Sequence, residues 1–138
     1  MSNKDVFIEK LRSSGLRPTK QRLEICKILF ERDHTFHFTI NDIAKILLNK
    51  LNKEISLATI YNTVNAFKKK GYLKEILINV DKSYFDTNTS NHHHFFDEST
   101  NELIDLNSNE VGKIKIKKNI PVKKIRSIEV LVKVANSN

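Results

Sequence analysis

Three consecutive histidines, His92, His93 and His94, begin six residues after Asp86, and His37 stands just ahead of a strongly signalled helix start. Imidazole and carboxylate together suit a divalent transition metal such as zinc, iron or manganese, and imidazole can also bind a haem iron. On an extended segment neighbouring side chains point to opposite sides, so His92 and His94 can share one site while His93 faces another. Chain reversal around His37 can bring it near the same place. The trio is equally compatible with a polar hinge that simply contains histidines, and His34 reads as a solvated loop residue. A metalloenzyme built on Asp86, His92 and His94 would need an open coordination position and a further acid or base, which no other motif supplies.

The second chemistry-bearing run is Ser56-Leu57-Ala58-Thr59-Ile60-Tyr61-Asn62-Thr63-Val64. Ser56 is a helix cap and Gly71 a helix stop, and between them Leu57, Ile60, Val64 and Phe67 recur at three- and four-residue steps. The other face presents Ala58, Tyr61, Asn62 and Asn65, then Lys68 and Lys69. These are short or planar side chains followed by cations, unlike the Glu-Lys mixture of an ordinary solvated helix. Asn can bond an adenine edge bidentately, Ala or Thr can touch a thymine methyl, and Tyr can reach a phosphate or a base.

The elements that must hold these residues follow from local signals. Asp5 is the expected cap of a first helix through Val6, Phe7, Ile8 and Leu11, closed by Gly15. A second helix starts near Pro18-Thr19 and buries Leu23, Cys26, Leu29 and Phe30. Thr39 with Asp42 forms a capping-box signal ahead of Ile40, Ile43, Leu47 and Leu51. After Gly71 the chain turns to strands over 72–78 and 83–86. Three helices, a reading helix and a hairpin in this order spell a winged helix-turn-helix that binds double-stranded DNA.

Residues 87–91 are polar and read as a hinge, which divides the chain into a DNA-binding domain over 1–86 and a second domain over 92–138. In the latter, His94-Phe95-Phe96 and Glu102 to Leu106 flank a turn and predict a hairpin. Ser108 to Lys118 reads as a short helix in preference to an irregular stretch, although Ile114-Lys115-Ile116-Lys117 alternates like a strand, and Ile125 to Val134 reads as a final strand. The fold class is therefore α+β, a winged helix-turn-helix followed by a small α/β unit that completes its core by pairing with a second copy.

Bulk properties narrow the function. A chain of 138 residues suits one ordinary domain or two small ones sharing a core, and a half below about 70–80 residues is marginal without a staple, a metal or a partner, which favours dimerisation. Residues 1–86 carry 16 Lys/Arg against 10 Asp/Glu, a net +6, and residues 87–138 carry 8 against 6, a net +2, so the charge favours a polyanion. The single Cys26 excludes an internal disulfide and a cysteine-rich zinc site and reads as a buried thiol. Acidic residues early in the chain and the lack of a long apolar run predict a cytoplasmic protein without a membrane partner.

Four ordered motifs together resemble the ferric uptake regulator family. They are Gly15-Leu16-Arg17-Pro18-Thr19-Lys20-Gln21-Arg22, the Ser56 to Val64 run, Lys82-Ser83-Tyr84-Phe85-Asp86 and His92-His93-His94-Phe95-Phe96. Within that family they look closest to the iron response regulator (Irr) branch of alphaproteobacteria. The resemblance implies a homodimeric winged-helix transcription regulator, a repressor type, controlling iron and haem metabolism in response to haem or a divalent metal. It places His37, Asp86, His92 and His94 at an interdomain regulatory metal site and His93 in a trio linked to haem. It makes Tyr61 and Asn62 readers of an A/T-rich inverted repeat, supported by Ser56, Ala58, Thr59 and Asn65, with Arg17, Lys20 and Arg22 on the phosphates. The family's paired Cys-x-x-Cys elements are absent, so no structural zinc held by four cysteines is expected. A further family site would use Asp105 and a late histidine, but Ser127 occupies the late position, which leaves that second site incomplete. The alternatives are a metal-independent DNA-binding regulator with structural histidines, or a His/Asp metalloenzyme.

Overall fold

A computed structural model describes residues 2–137, which form two compact units divided between Thr89 and Ser90. The first holds helices α1 (Asn3–Ser13), α2 (Lys20–Phe30), α3 (Ile40–Leu51) and α4 (Leu57–Lys70) with strands β1 (His37–Phe38), β2 (Lys74–Asn79) and β3 (Lys82–Asp86). The second holds β4 (His93–Asp97), β5 (Glu102–Leu106) and β6 (Leu131–Val134), with a single 3-10 turn at Ser108–Glu110.

Each helix starts where a side chain can satisfy orphan backbone donors. Ser2, rather than Asp5, caps α1; Asp5 is the third helical residue and completes a reciprocal capping box with Ser2. Thr19 caps α2, Thr39 and Asp42 form the box of α3, and Ser56 caps α4. Gly71 ends α4 at φ 92°, a left-handed conformation that glycine adopts without a Cβ clash. The apolar stripes of the four helices meet in one core of Leu11, Ile25, Leu29, Ile43, Leu47, Ile60, Val64 and Phe67, all essentially solvent-free. Burial of each such side chain contributes roughly 1.5–3 kcal/mol against chain entropy.

The hairpin of β2 and β3 is closed by an Asx turn, in which Asp81 N–H donates to Asn79 Oδ1 at 2.9 Å. β3 also pairs antiparallel with the two-residue β1, giving the sheet order β1-β3-β2. Phe38 is stacked between Phe36 and Phe85, at centroid distances of 5.4 and 5.7 Å, which fixes β1 to the end of the hairpin. Thr87 reinforces the junction, donating its N–H to Phe36 O and accepting from Phe36 N–H at its hydroxyl.

In the second unit β4 is central, antiparallel to β5 and parallel to β6. The helix expected over Ser108 to Lys118 is not formed: only Ser108–Glu110 turns, and the chain then runs exposed and irregular to about residue 130. The Ile-Lys alternation over 114–117 has period 2 and cannot supply a helical apolar stripe. The final strand is likewise shorter than expected, Leu131–Val134, because only this stretch meets β4.

Candidate metal centre and nucleic-acid interface

The register of β1 on β3 sets His37 opposite Asp86, and His37 Nε2 lies 3.0 Å from Asp86 Oδ2. Asp86 is solvent-free, and its other oxygen accepts Asn88 N–H at 2.8 Å. That hydrogen bond holds the carboxylate rotamer and leaves Oδ2 for the imidazole or an ion. The helical unit therefore carries one preformed His/Asp donor pair.

The sheet unit carries a second donor set. His94 lies directly across from Asp105 on β5, so their side chains emerge on the same face, and His94 Nε2 is 3.5 Å from Asp105 Oδ1. His92 Nε2 is 3.2 Å from the same oxygen, and the rings of His92 and His94 sit 4.4 Å apart. Asp105 thus joins His92 and His94 rather than the separate site that the sequence suggested for it. Alternation puts His93 on the opposite face, as expected, but its Nδ1 accepts the backbone N–H of Val130 at 2.9 Å. This bond ties the start of β6 to β4. It also fixes the neutral ring with its proton on Nε2, so neither nitrogen of His93 offers a lone pair to a metal or a haem in this arrangement.

His92 is the most informative of the trio. Its Nδ1 lies 2.8 Å from Ser90 O, and a carbonyl can only accept, so Nδ1 carries the proton. Nε2 of the same ring then faces a carboxylate oxygen 3.2 Å away. Two acceptors facing each other require a proton or a cation between them. A backbone carbonyl orienting one ring nitrogen while the other faces an acid is the arrangement that serves a metal ligand. Each donor set combines imidazole and carboxylate without a thiolate, which fits zinc, iron(II) or manganese(II).

Helix α4 offers the second candidate surface. Ala58, Tyr61 and Asn62 are exposed, Asn65 is half-buried beside them, and Ile60, Val64 and Phe67 anchor the opposite face. Ser56 Oγ accepts Thr59 N–H at 3.1 Å and lies 2.9 Å from the Thr59 hydroxyl, so these two residues position the helix start. Arg17 and Lys20 are exposed at the head of α2, whereas Arg22 turns back and donates Nη1–H to Arg17 O at 2.9 Å. Arg22 thereby shapes the turn that presents Arg17. Lys68 reaches across to Glu75 on β2 at 2.8 Å; that hydrogen bond raises the lysine's pKa above its ordinary value and lowers that of the glutamate.

Cys26 is wholly buried in the helical core, and burial pushes its thiol up to about 12. A thiol held protonated is neither nucleophile nor metal ligand. No helix among the described residues is long and apolar enough to cross a membrane.

These features agree with what the chain resembles. The Ferric uptake regulator family matches residues 13–133. The chain belongs to that family. Ferric uptake regulator proteins are metal-responsive DNA-binding transcription regulators and not enzymes, which removes the metalloenzyme alternative. The peroxide-responsive repressor PerR of Staphylococcus aureus is 36% identical over 107 residues, spanning 78% of this chain and 70% of the relative. Two solved structures share the fold. The ferric uptake regulator of Vibrio cholerae superposes with a TM-score of 0.69 at 21% identity, covering 94% of this chain and 98% of that one. The Pseudomonas aeruginosa ferric uptake regulator with manganese gives 0.66 at 19% identity, covering 96% and 99%.

Proposed function

We propose that this ferric uptake regulator family member is a cytoplasmic, homodimeric repressor that binds an A/T-rich inverted repeat and reports iron and haem status through a divalent metal. Each unit supplies a donor set for a divalent ion, His37 with Asp86 in the first and His92, His94 and Asp105 in the second. The observation that carries this reading is His92, whose Ser90-fixed ring turns Nε2 toward Asp105. A protonated His92 paired with Asp105 is the metal-free counterpart of this arrangement, and the metal dependence of operator binding distinguishes the two.

The iron and haem assignment rests on the resemblance of the four motifs to the iron response regulator branch. A haem bound here would draw on His92 or His94, because His93 is committed to Val130. Likeness to the Staphylococcus aureus repressor supports a second reading, response to peroxide, which would also run through the bound metal given the protonated Cys26.

On DNA, Tyr61, Asn62, Ala58 and Asn65 read base edges while Arg17 and Lys20 hold phosphates. One reading helix per copy calls for two half-sites about 34–36 Å apart or a multiple of that. Binding-site selection with the purified protein, repeated with Mn(II), Fe(II), haem and peroxide-treated Fe(II), tests partner and signal together. Enrichment of a metal-dependent A/T-rich inverted repeat is the expected result; an unchanged site and affinity across all conditions returns the histidines to a structural role.

A further inference from the structure

The net +2 of the second half conceals a sharp segregation of charge. Residues 90–110 hold five acidic residues and no Lys or Arg, whereas residues 111–128 hold seven Lys/Arg and no acid. Lys113, Lys115, Lys117, Lys118, Lys123, Lys124 and Arg126 are all exposed, and no ion pair reaches any of them among the described residues. Lysines elsewhere do find acids, Lys27 and Lys50 at Glu24 and Lys68 at Glu75.

The basic segment is also apolar. Ile114, Ile116 and Ile125 sit between cations, and with Ile120 they remain exposed. At its middle, Lys123 N–H donates to Ile120 O at 3.0 Å, closing a turn with Pro121 second and Val122 third. Val122 has φ 66° and a relative exposure of 104%. Glycine or asparagine is the usual occupant of such a position, and a β-branched residue there is strained. A strained valine at a fully exposed tip is a feature that free solvent does not reward.

The sheet offers the complement. Asp97 and Glu102 lie directly opposite each other on β4 and β5, a like-charge pair that is unfavourable without a cation. No ion pair to either is formed among the described residues. Next along the same face come Phe95, half-buried, and its partner Ile104, exposed, beside Val132 and Val134. An apolar row flanked by carboxylates fits a strap of alternating isoleucine and lysine. A DNA backbone would take the lysines and leave the isoleucines in water.

We propose that residues 113–126 form a strap by which two copies of this chain grip each other. The strap's lysines meet the second copy's Asp97 and Glu102, and Val122 with its neighbouring isoleucines covers Phe95 and Ile104. The inference rests on the homodimer reading and names its contact surface. It also accounts for a sheet unit whose buried apolar side chains, among the described residues, are Phe96, Leu103 and Leu106.

The test is sedimentation velocity on the full chain in low and high salt. One variant changes Lys113, Lys115, Lys117 and Lys118 to Glu; another changes Glu102 to Lys, and a control changes Glu98, on the opposite face, to Lys. Asp97 is left unaltered, because its carboxylate accepts Ser99 N–H and so holds the turn. All six positions are exposed, so circular dichroism should match wild type. The lysine variant and Glu102→Lys alone are each expected to dimerise roughly tenfold more weakly or worse, the Glu98→Lys control to dimerise like wild type, and an equimolar mixture of the first two to recover a heterodimer through restored complementarity. Val122→Gly should raise or preserve thermal stability while weakening association, because it removes strain and contact together. A lysine variant or Glu102→Lys that dimerises like wild type overturns the strap. So does a strap variant that stays dimeric but loses salt-dependent DNA affinity, which would move the lysines to phosphates. A wild-type chain that stays monomeric at micromolar concentration overturns the homodimer reading itself.

Discussion

His37 faces Asp86 across the β1–β3 pairing, with Nε2 3.0 Å from Oδ2. Strand formation in the helical unit therefore assembles two donors before any ion arrives, and Asn88 N–H holds the carboxylate in place. Asp86→Asn keeps the Oδ1 acceptor and the side-chain shape but removes the negative charge. Affinity for Mn(II), measured by calorimetry, should fall about 10–100-fold, as when ligands or their orienting partners are changed elsewhere. Far-ultraviolet dichroism should not change. Retention of wild-type affinity would remove Asp86 from the ligand set.

Contact type separates the residues of the reading face from those at the head of α2. Tyr61→Ala and Asn62→Ala should each weaken binding to the selected operator by roughly 1–3 kcal/mol while leaving affinity for random DNA almost unchanged. Lys20→Ala should weaken all duplexes alike and reduce the log–log salt slope by about 0.9. Arg22→Ala should act differently again, since its guanidinium braces Arg17 O and its loss disturbs the turn. Fluorescence anisotropy at several salt concentrations distinguishes the three patterns; unaltered sequence preference in the Tyr61 and Asn62 variants would misplace the reading face.

The helical unit was legible because its signals are local. Thr39 with Asp42 and Ser56 with Gly71 bound α3 and α4 where the capping pattern put them. Strand β1 was not legible, since two residues carry no periodicity and His37 and Phe38 are extended only because β3 and the ring of Phe85 are there. Asp105 was expected at a separate second site for a related reason: its place beside His92 and His94 comes from the β4–β5 register, which depends on the exact turn between them. Val130, the partner of His93, lies 37 residues away, and no sequence pattern announces a backbone donor. The irregular course over 111–130 was misread as part helix and part strand, because isoleucine and lysine support either element locally and only a partner surface decides.

The Lys68–Glu75 bridge ties the end of α4 to β2 and carries a defined pH signature. Hydrogen bonding to Lys68 holds Glu75 below its ordinary 4.5, and the same bond holds Lys68 above its ordinary 10.5. A lowered carboxylate contributes stability that is complete above 4.5 and is lost as pH falls through the folded value; a raised lysine contributes stability that is complete below 10.5 and is lost as pH rises through its folded value. With both side chains about a third exposed, the contribution is about 0.5 kcal/mol after solvent screening. Glu75→Gln should thus lower the melting temperature slightly at pH 7, and the gap to wild type should close on acidification below 4.5. A constant gap across that range would show that the bridge does not stabilise the hairpin.

Cys26 separates two ways in which a regulator of this kind can register peroxide. Oxidation of a thiol requires the thiolate, and burial keeps this one protonated up to about 12. In the native protein Cys26 should therefore resist thiol reagents at pH 7 and react only on unfolding. Cys26→Ala leaves a small void in a core bounded by Ile25 and Leu29, so some loss of stability is expected, of roughly 1 kcal/mol. Operator binding by the Fe(II)-loaded Cys26→Ala variant should nevertheless respond to peroxide as wild type does, because any oxidation would occur at the His/Asp donors around the metal. Mn(II)-loaded protein, whose ion reacts less readily with peroxide, should hold its operator under the same treatment. Loss of the peroxide response in Cys26→Ala alone, with Fe(II) affinity intact, would transfer sensing from the metal to the thiol.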